Sequence, residues 1–389
     1  MTADGVGPAR PSHHRSARRS ANPSTLVGLA CLILGTIAGC SSSPEVTEAV
    51  ATPGVLTTDD VPVPFDAANV DSVTEPWIYH GHNGSLISTQ YFNIYTTLSS
   101  SSMLDRLPGF YEACLREYVT RFGSLPMPKR KLEAYVFRDK RQWQNKTREV
   151  LPDQAEQFMT LGRGGFTTRG MAILFYIGSH DTFAIAAHEG WHQYTQTTFQ
   201  HNLPTWLEEG IATYVEAVRR TRDGDIVLQP WNNQERRYAL RRAVRRDALI
   251  PFEDLLKGAP QAFLGSSKSK LLTYYAQVWA LTRFVAEAED GKYREGLEAV
   301  LTDAAEGRLV GRLMSSDVAR LGRRRGVLAQ ARLGPAVVKE YFNADLDVIG
   351  AEYMQFVERI ASSRRWVSHA TDQSGRGHAA TRAVVAAAD

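Results

Sequence analysis

The chain has 389 residues, 43% of them hydrophobic and 22% charged, with a formal net charge of +3. Those are globular proportions, enough for one large domain or two ordinary ones, and so mild a charge balance does not by itself call for a nucleic-acid partner. Three cysteines, Cys31, Cys40 and Cys114, are too few for a disulfide framework, so the fold has to hold through its core.

Near the N-terminus a basic stretch, "RSARRS" with Arg15, Arg18 and Arg19, precedes the apolar run "LVGLACLILGTIAG", which leads into Cys40. A basic stretch, a short apolar run and small residues at its end form an export signal, too short for a comfortable membrane span. An uncleaved N-terminal anchor helix is the alternative. Ile37, Ala38 and Gly39 directly before Cys40 resemble the lipobox of bacterial lipoproteins. That resemblance implies a signal peptide over 1–39, cleavage before Cys40, a lipid on its thiol, and a protein attached through that lipid to the cell envelope outside the cytoplasm. Residues 40–74, rich in Ser, Thr and Pro, read as a flexible tether, and 368–389 as a disordered tail. The folded body is expected over about 75–367.

Within the body, "SLISTQYFNIYTTL" (85–98) alternates and is β-rich, which predicts a strand. "MLDRLPGFYEACLREYVTRFG" has apolar residues at helical spacing and predicts a helix that buries Cys114. "KLEAYVFRD" predicts a strand, "KRQWQNKTREVL" a short helix, and "GGFTTRGMAILFYIG" a strand pair joined near Arg169-Gly170. From Thr182 the pattern turns helical: "TFAIAAHEGWHQYTQTTF", "PTWLEEGIATYVEAVRR", "NNQERRYALRRAVRRD", "SKLLTYYAQVWALTRFVAEAED", "YREGLEAVLTDA" and "ADLDVIGAEYMQFVERIA". The expected fold class is α+β, with a mixed, sheet-containing half (about 85–178) packed on a mainly helical half (about 180–367) and "HEGWH" at the junction.

His188 and His192 are four residues apart, so a helix places both imidazoles on one face, where they can grip one metal ion. Glu189 falls about a third of a turn away, in reach of a water but not a ligand. This is the division of labour of metal-assisted hydrolysis: two imidazoles hold Zn²⁺, the ion lowers the pKa of water towards ~7, and the carboxylate takes the proton. A catalytic zinc site usually has a third protein ligand. Position 198, six residues after His192, is Thr198; His201 lies past the expected helix end; no aspartate occurs between His192 and Asp223. Glu208 and Glu209 both remain at a spacing that lets a second helix turn back towards the first.

Here "LPTWLEEGIATYVE" resembles the second motif of the gluzincins, the peptidase-MA-like zinc metallopeptidases. The nearest likeness is to bacterial lipoproteins with "HEGxHQ" and "WLxEGxAxYxE", matched by His188 to Gln193 and Trp206 to Glu216. The resemblance implies a zincin-like fold, one Zn²⁺ on His188, His192 and Glu209, Glu189 as general base, and hydrolysis of a peptide or protein substrate by a monomer. By the same likeness Tyr275 stabilises the oxyanion, with Tyr274 as alternative and a purely aromatic core stripe beside Trp279 as the plainer reading. Thr213 and Glu216 are candidates to orient the metal histidines, Glu216 equally a solvated helix residue. The resemblance, rather than any pattern in the residues, also implies that the strand at Ala172–Tyr176 is the edge on which an extended peptide lies. The competing functions are a non-hydrolytic zinc-containing surface protein that binds peptides or cell-envelope material, and a metal-free scaffold. "RRYALRRAVRR" reads as a solvated helix face, with an acidic partner or anionic membrane as the sharper alternatives, and "RLGRRRG" (320–326) as a basic loop. Nucleic acid is not expected for an exported chain.

Overall fold

A computed structural model describes residues 63–64, 70–159, 164–220, 226–230, 232–260, 268–288, 291–315 and 333–362. The signal segment, Cys40, the tail and the 320–326 loop lie outside the described residues.

The N-terminal half is a mixed six-stranded sheet with strand order β2-β3-β4-β5-β7-β6. After the two-residue β1 (Val63–Pro64), the strands are β2 (Val73–Tyr79), β3 (His82–Ser88), β4 (Phe92–Thr96), β5 (Leu132–Phe137), β6 (Gly165–Thr168) and β7 (Met171–Phe175). Two hairpins close on two-residue turns, His80-Gly81 and Arg169-Gly170, where both central residues have positive φ. That backbone twist matches the twist of the flanking strands. The single strand expected at 85–98 is two strands, because the chain reverses at Thr89–Tyr91 and β3 pairs antiparallel with β4. The central strands β4, β5 and β7 run parallel.

Alternation along the strands separates two cores. Leu132, Ala134 and Val136 of β5, with Ala172 and Leu174 of β7, face the large core shared with the helical half. Tyr135, Phe137, Ile173 and Phe175 face a smaller one on the other side. The large core takes α1 (Ser101–Leu104) and α2 (Leu107–Thr120); the smaller takes α3 (Lys140–Val150) and α4 (Ala155–Met159). Asp139 caps α3 by accepting from the Gln142 amide, and Trp143 Nε1 donates to the Ile173 carbonyl at 3.0 Å. Cys114 is a buried free thiol in α2.

The rest of the chain is mainly helical. α5 (Ser179–Thr198) lies on β6 and β7 and against α2, and α6 (Thr205–Val215) packs on α5. There follow β8 (Val218–Arg220), β9 (Ile226–Leu228), α7 (Gln234–Arg245), α8 (Phe252–Lys257), α9 (Lys268–Glu287), α10 (Arg294–Ala305), α11 (Leu309–Ser315), α12 (Leu333–Tyr341) and α13 (Leu346–Ser362). β8 and β9 form a second sheet with β1, order β1-β9-β8. The segment read as tether therefore contributes Val63–Pro64 to this sheet, and the main sheet starts at Val73. Hydrophobic periodicity cannot reveal strands of two or three residues. Among the described residues no helix is long and apolar enough to cross a membrane.

Two glycines set how closely α5 and α6 seat. A Cβ on Gly190 would stand 2.6 Å from the Tyr118 hydroxyl, which donates to the Ala187 carbonyl. A Cβ on Gly210 would meet the Thr282 hydroxyl and the Val278 carbonyl of α9, the latter at 2.9 Å. Backbone cannot yield as a flexible side chain does, so Gly210→Ala is expected to cost about 2 kcal/mol. Urea unfolding should show a lowered midpoint; an unchanged midpoint would mean that α6 and α9 are free to separate.

Candidate metal centre

α5 presents His188 and His192 one turn apart, with ring centroids separated by 4.9 Å. α6 presents Glu209, which is fully buried. His188 Nε2 and His192 Nε2 lie 3.5 and 3.7 Å from Glu209 Oε2, and one ligand atom from each of the three residues falls within 4.8 Å of the others. Two ligands ~2.1 Å from a tetrahedral ion stand ~3.4 Å apart, so the spacing suits a shared cation. Both Nε2 atoms and both Glu209 oxygens are buried and make no hydrogen bond in the protein. Buried polar groups are almost always satisfied, and a buried carboxylate without compensation costs several kcal/mol. This buried group could hold a metal ion.

The far side of each imidazole is engaged. His188 Nδ1 lies 2.8 Å from Glu216 Oε2 and His192 Nδ1 lies 2.9 Å from Glu208 Oε1. With Nε2 facing the point of convergence, each Nδ1–H donates to its carboxylate, which fixes the tautomer and ring angle and raises the basicity of Nε2. Thr195 donates to the same Glu208 oxygen at 2.7 Å. Glu216 accepts from Asn233 Nδ2 (2.9 Å) and from Arg236 Nε and Nη2 (2.7 and 3.2 Å). Asn233 also caps α7 by accepting from the Arg236 amide, so one residue ties the start of α7 to the site.

Electrostatics agree with a missing positive charge. Glu189, Glu208, Glu209 and Glu216 meet one guanidinium, Arg236, in this cluster. Burial opposes charge on His188, but the Glu209 and Glu216 carboxylates outweigh it and lift the ring to about 9. For His192 burial is likewise outweighed, by Glu208 and Glu209, to about 10. Burial would raise Glu209, but the two imidazoles hold it below its usual range. Glu216 is carried down to about 2 against its burial, chiefly by Arg236 and then by His188. The surrounding carboxylates thus favour positive charge where the two imidazoles meet.

Glu189 is buried beside this group. The Thr167 hydroxyl of β6 lies 2.9 Å from its Oε2 and 2.8 Å from its backbone carbonyl. Burial raises its carboxyl above the usual value. Tyr275 of α9 reaches the site, with its ring 6.3 Å from that of His188 and Arg236 5.1 Å over its face. Its hydroxyl is buried without a partner, whereas Tyr274 donates to the Gly258 carbonyl. Of the two tyrosines, it is Tyr275 that faces the centre.

No family model matches the chain, and no curated protein or solved structure does either. Function is therefore read from the site itself.

The structure brings His188, Glu189, His192, Glu209 and Tyr275 together and leaves others out. His201 accepts from the Val310 amide, away from the centre. Thr213 does not orient a histidine, because its hydroxyl turns back to the Glu209 and Gly210 carbonyls of its own helix. Glu216 is the orienting carboxylate rather than a solvated residue. The strand at the edge next to α5 is β6, not Ala172–Phe175: β7 is interior, hydrogen-bonded on both sides. Arg236 and Arg237 are drawn inward rather than solvated, Arg237 donating to the Ile360 carbonyl. Sequence reasoning did not find Thr167, Thr195, Asn233 or Arg236. Only Asn233 carried a local signal, as a helix cap. Gln193 has a structural reason: its amide donates to the Glu133 and Gly170 carbonyls and clamps α5 to the sheet.

If Glu208 and Glu216 orient the imidazoles, Glu208→Gln and Glu216→Gln should each weaken Zn²⁺ affinity about 10- to 100-fold. Competition with a chromophoric chelator measures this. Affinity equal to the unmutated chain would show that neither carboxylate orients a ligand.

Proposed function

We propose that this protein is a zinc-dependent peptidase of gluzincin type, with His188, His192 and Glu209 as metal ligands. The observation that supports it most is the set of four buried, unpartnered ligand atoms that converge beside a buried Glu189. When bound there, Zn²⁺ supplies Lewis-acid chemistry: it lowers the pKa of water and polarises a carbonyl oxygen.

The chain's own residues supply the remainder. Glu208 and Glu216 hold the imidazoles in register. Glu189 takes the proton of the attacking water at its carboxylate and hands it on to the leaving amine; its raised pKa brings it closer to neutrality, where a base can both accept and return a proton. Thr167 keeps that carboxylate aimed. Burial holds the Tyr275 hydroxyl well above its usual pKa, so it stays protonated and can donate to a developing oxyanion. Through β6, which runs at the sheet edge beside α5, an extended peptide would add as a further strand. Envelope attachment through Cys40 belongs to the same proposal and rests on the lipobox-like residues before it. A purely binding protein has no use for Glu189, buried with its own hydrogen-bond donor at the metal group.

Glu189→Gln keeps the shape and removes the base. The expected result is near-stoichiometric zinc with peptide hydrolysis lowered at least about 100-fold. Metal analysis and turnover of a quenched peptide library read the two separately. Full zinc with no hydrolysis by the unmutated chain on any library member would leave the metal centre standing and remove the peptidase.

A further inference from the structure

The arginines of α7 divide by face. Arg236 and Arg237 turn inward, while Tyr238, Arg242 and Arg245 recur three and four residues apart on the outward side, with Arg241 at its flank one turn after Arg237 and Arg246, just past the helix end, one turn beyond Arg242. Arg242, Arg245 and Arg246 are exposed, Arg241 is half-buried, and Tyr238 is 65% exposed. Among the described residues none of these four arginines has an ion-pair partner. Like charges four apart on a helix repel, and burial followed by Arg241 and Arg283 holds the Arg237 guanidinium below its usual pKa. The C-terminal end of a helix favours cations, but one or two would serve that dipole. Four unpaired arginines on one strip leave a concentrated positive surface.

A second observation comes from the other end of the chain. β1 pairs with β9, Val63 opposite Leu228, and β9 ends six residues before α7 begins. The chain upstream of Val63 therefore joins the fold near the start of α7. Twenty-two residues separate Cys40 from Val63, a reach of roughly 75 Å at full extension, against about 18 Å for α7 itself. Attachment through Cys40, as proposed above, keeps the arginine strip within reach of that membrane.

We propose that the face of α7 bearing Tyr238, Arg241, Arg242, Arg245 and Arg246 docks the protein on an anionic phospholipid surface. Arginines supply attraction to the headgroups, and an exposed tyrosine is the aromatic type that settles at the headgroup level. The proposal is independent of the metal centre, since none of these five residues belongs to it. An acidic polypeptide would also answer the charge, but neither the exposed tyrosine nor attachment through Cys40 points to one.

The test uses the full chain and its partition onto vesicles of phosphatidylcholine alone and of phosphatidylcholine with phosphatidylglycerol. The ratio of the two partition coefficients cancels what the N-terminal attachment contributes. An arginine near an anionic surface is worth about fivefold, so R241Q/R242Q/R245Q should lower that ratio about 100-fold. Sodium chloride at 0.5 M should abolish the preference. The equal-charge variant K131Q/R141Q/R148Q, at exposed positions elsewhere, should leave it within about twofold. The proposal is overturned if the two triple variants fall equally, if the α7 variant matches the unmutated chain, or if it loses binding to polyglutamate while vesicle preference persists.

Discussion

The structure is organised around a buried carboxylate. Glu209 has no exposure and neither oxygen is hydrogen-bonded, yet it sits where two imidazole nitrogens arrive at 3.5 and 3.7 Å. An ion of that kind in a protein interior needs a compensating charge, and the cost of leaving it alone exceeds what one packing contact returns. Two protonated imidazoles or one dication would serve. A metal ion at that point would leave both rings free to donate at Nδ1 with Nε2 turned to the ion.

Holding these atoms at one point requires rigid helices, and the surrounding residues make them so. α5 is fastened to the sheet by Gln193, which spans β5 and the β6–β7 turn, and by Thr167 at the sheet edge. It is held to α2 by the Tyr118–Ala187 bond that Gly190 makes room for. α6 is pressed onto α9 at Gly210, next to the ligand, and α9 in turn brings Tyr275. The glycines of the two motifs thus have packing roles. Each allows a close approach that places the neighbouring functional side chain.

A chain of contacts continues outward from the His188–His192–Glu209 group: His188 to Glu216, Glu216 to Arg236 and Asn233, Asn233 to the start of α7. Arg236 also stacks over Tyr275. One buried guanidinium therefore contacts both the carboxylate beside His188 and the ring of Tyr275. Among the described residues, the outward arginines of the same helix have no such partners. The contrast within one dodecamer shows why charge counted along a sequence does not report what the charges do.

Much of the centre was legible because its information is local. Spacing of four puts His188 and His192 on one helix face, adjacency puts Glu189 beside them, and these follow from helical geometry alone. The helices α5, α6, α7, α9, α10 and α13, the strand β5, and the Arg169-Gly170 hairpin were readable from periodicity and turn chemistry for the same reason. Strand order was not: β7 becomes interior and β6 the edge because the β6–β7 hairpin pairs with β5 through β7, a choice made by contacts distant in sequence. The reversal at Thr89–Tyr91 and the strands β1, β2, β8 and β9 were hidden by shortness or irregular composition. Glu208 and Glu216 take the Nδ1 atoms, and Thr167 and Arg236 enter the site, only because four elements far apart in the chain meet. Local spacing determines which side chains share a helix face; tertiary packing decides which buried polar atoms find partners and which are left without one.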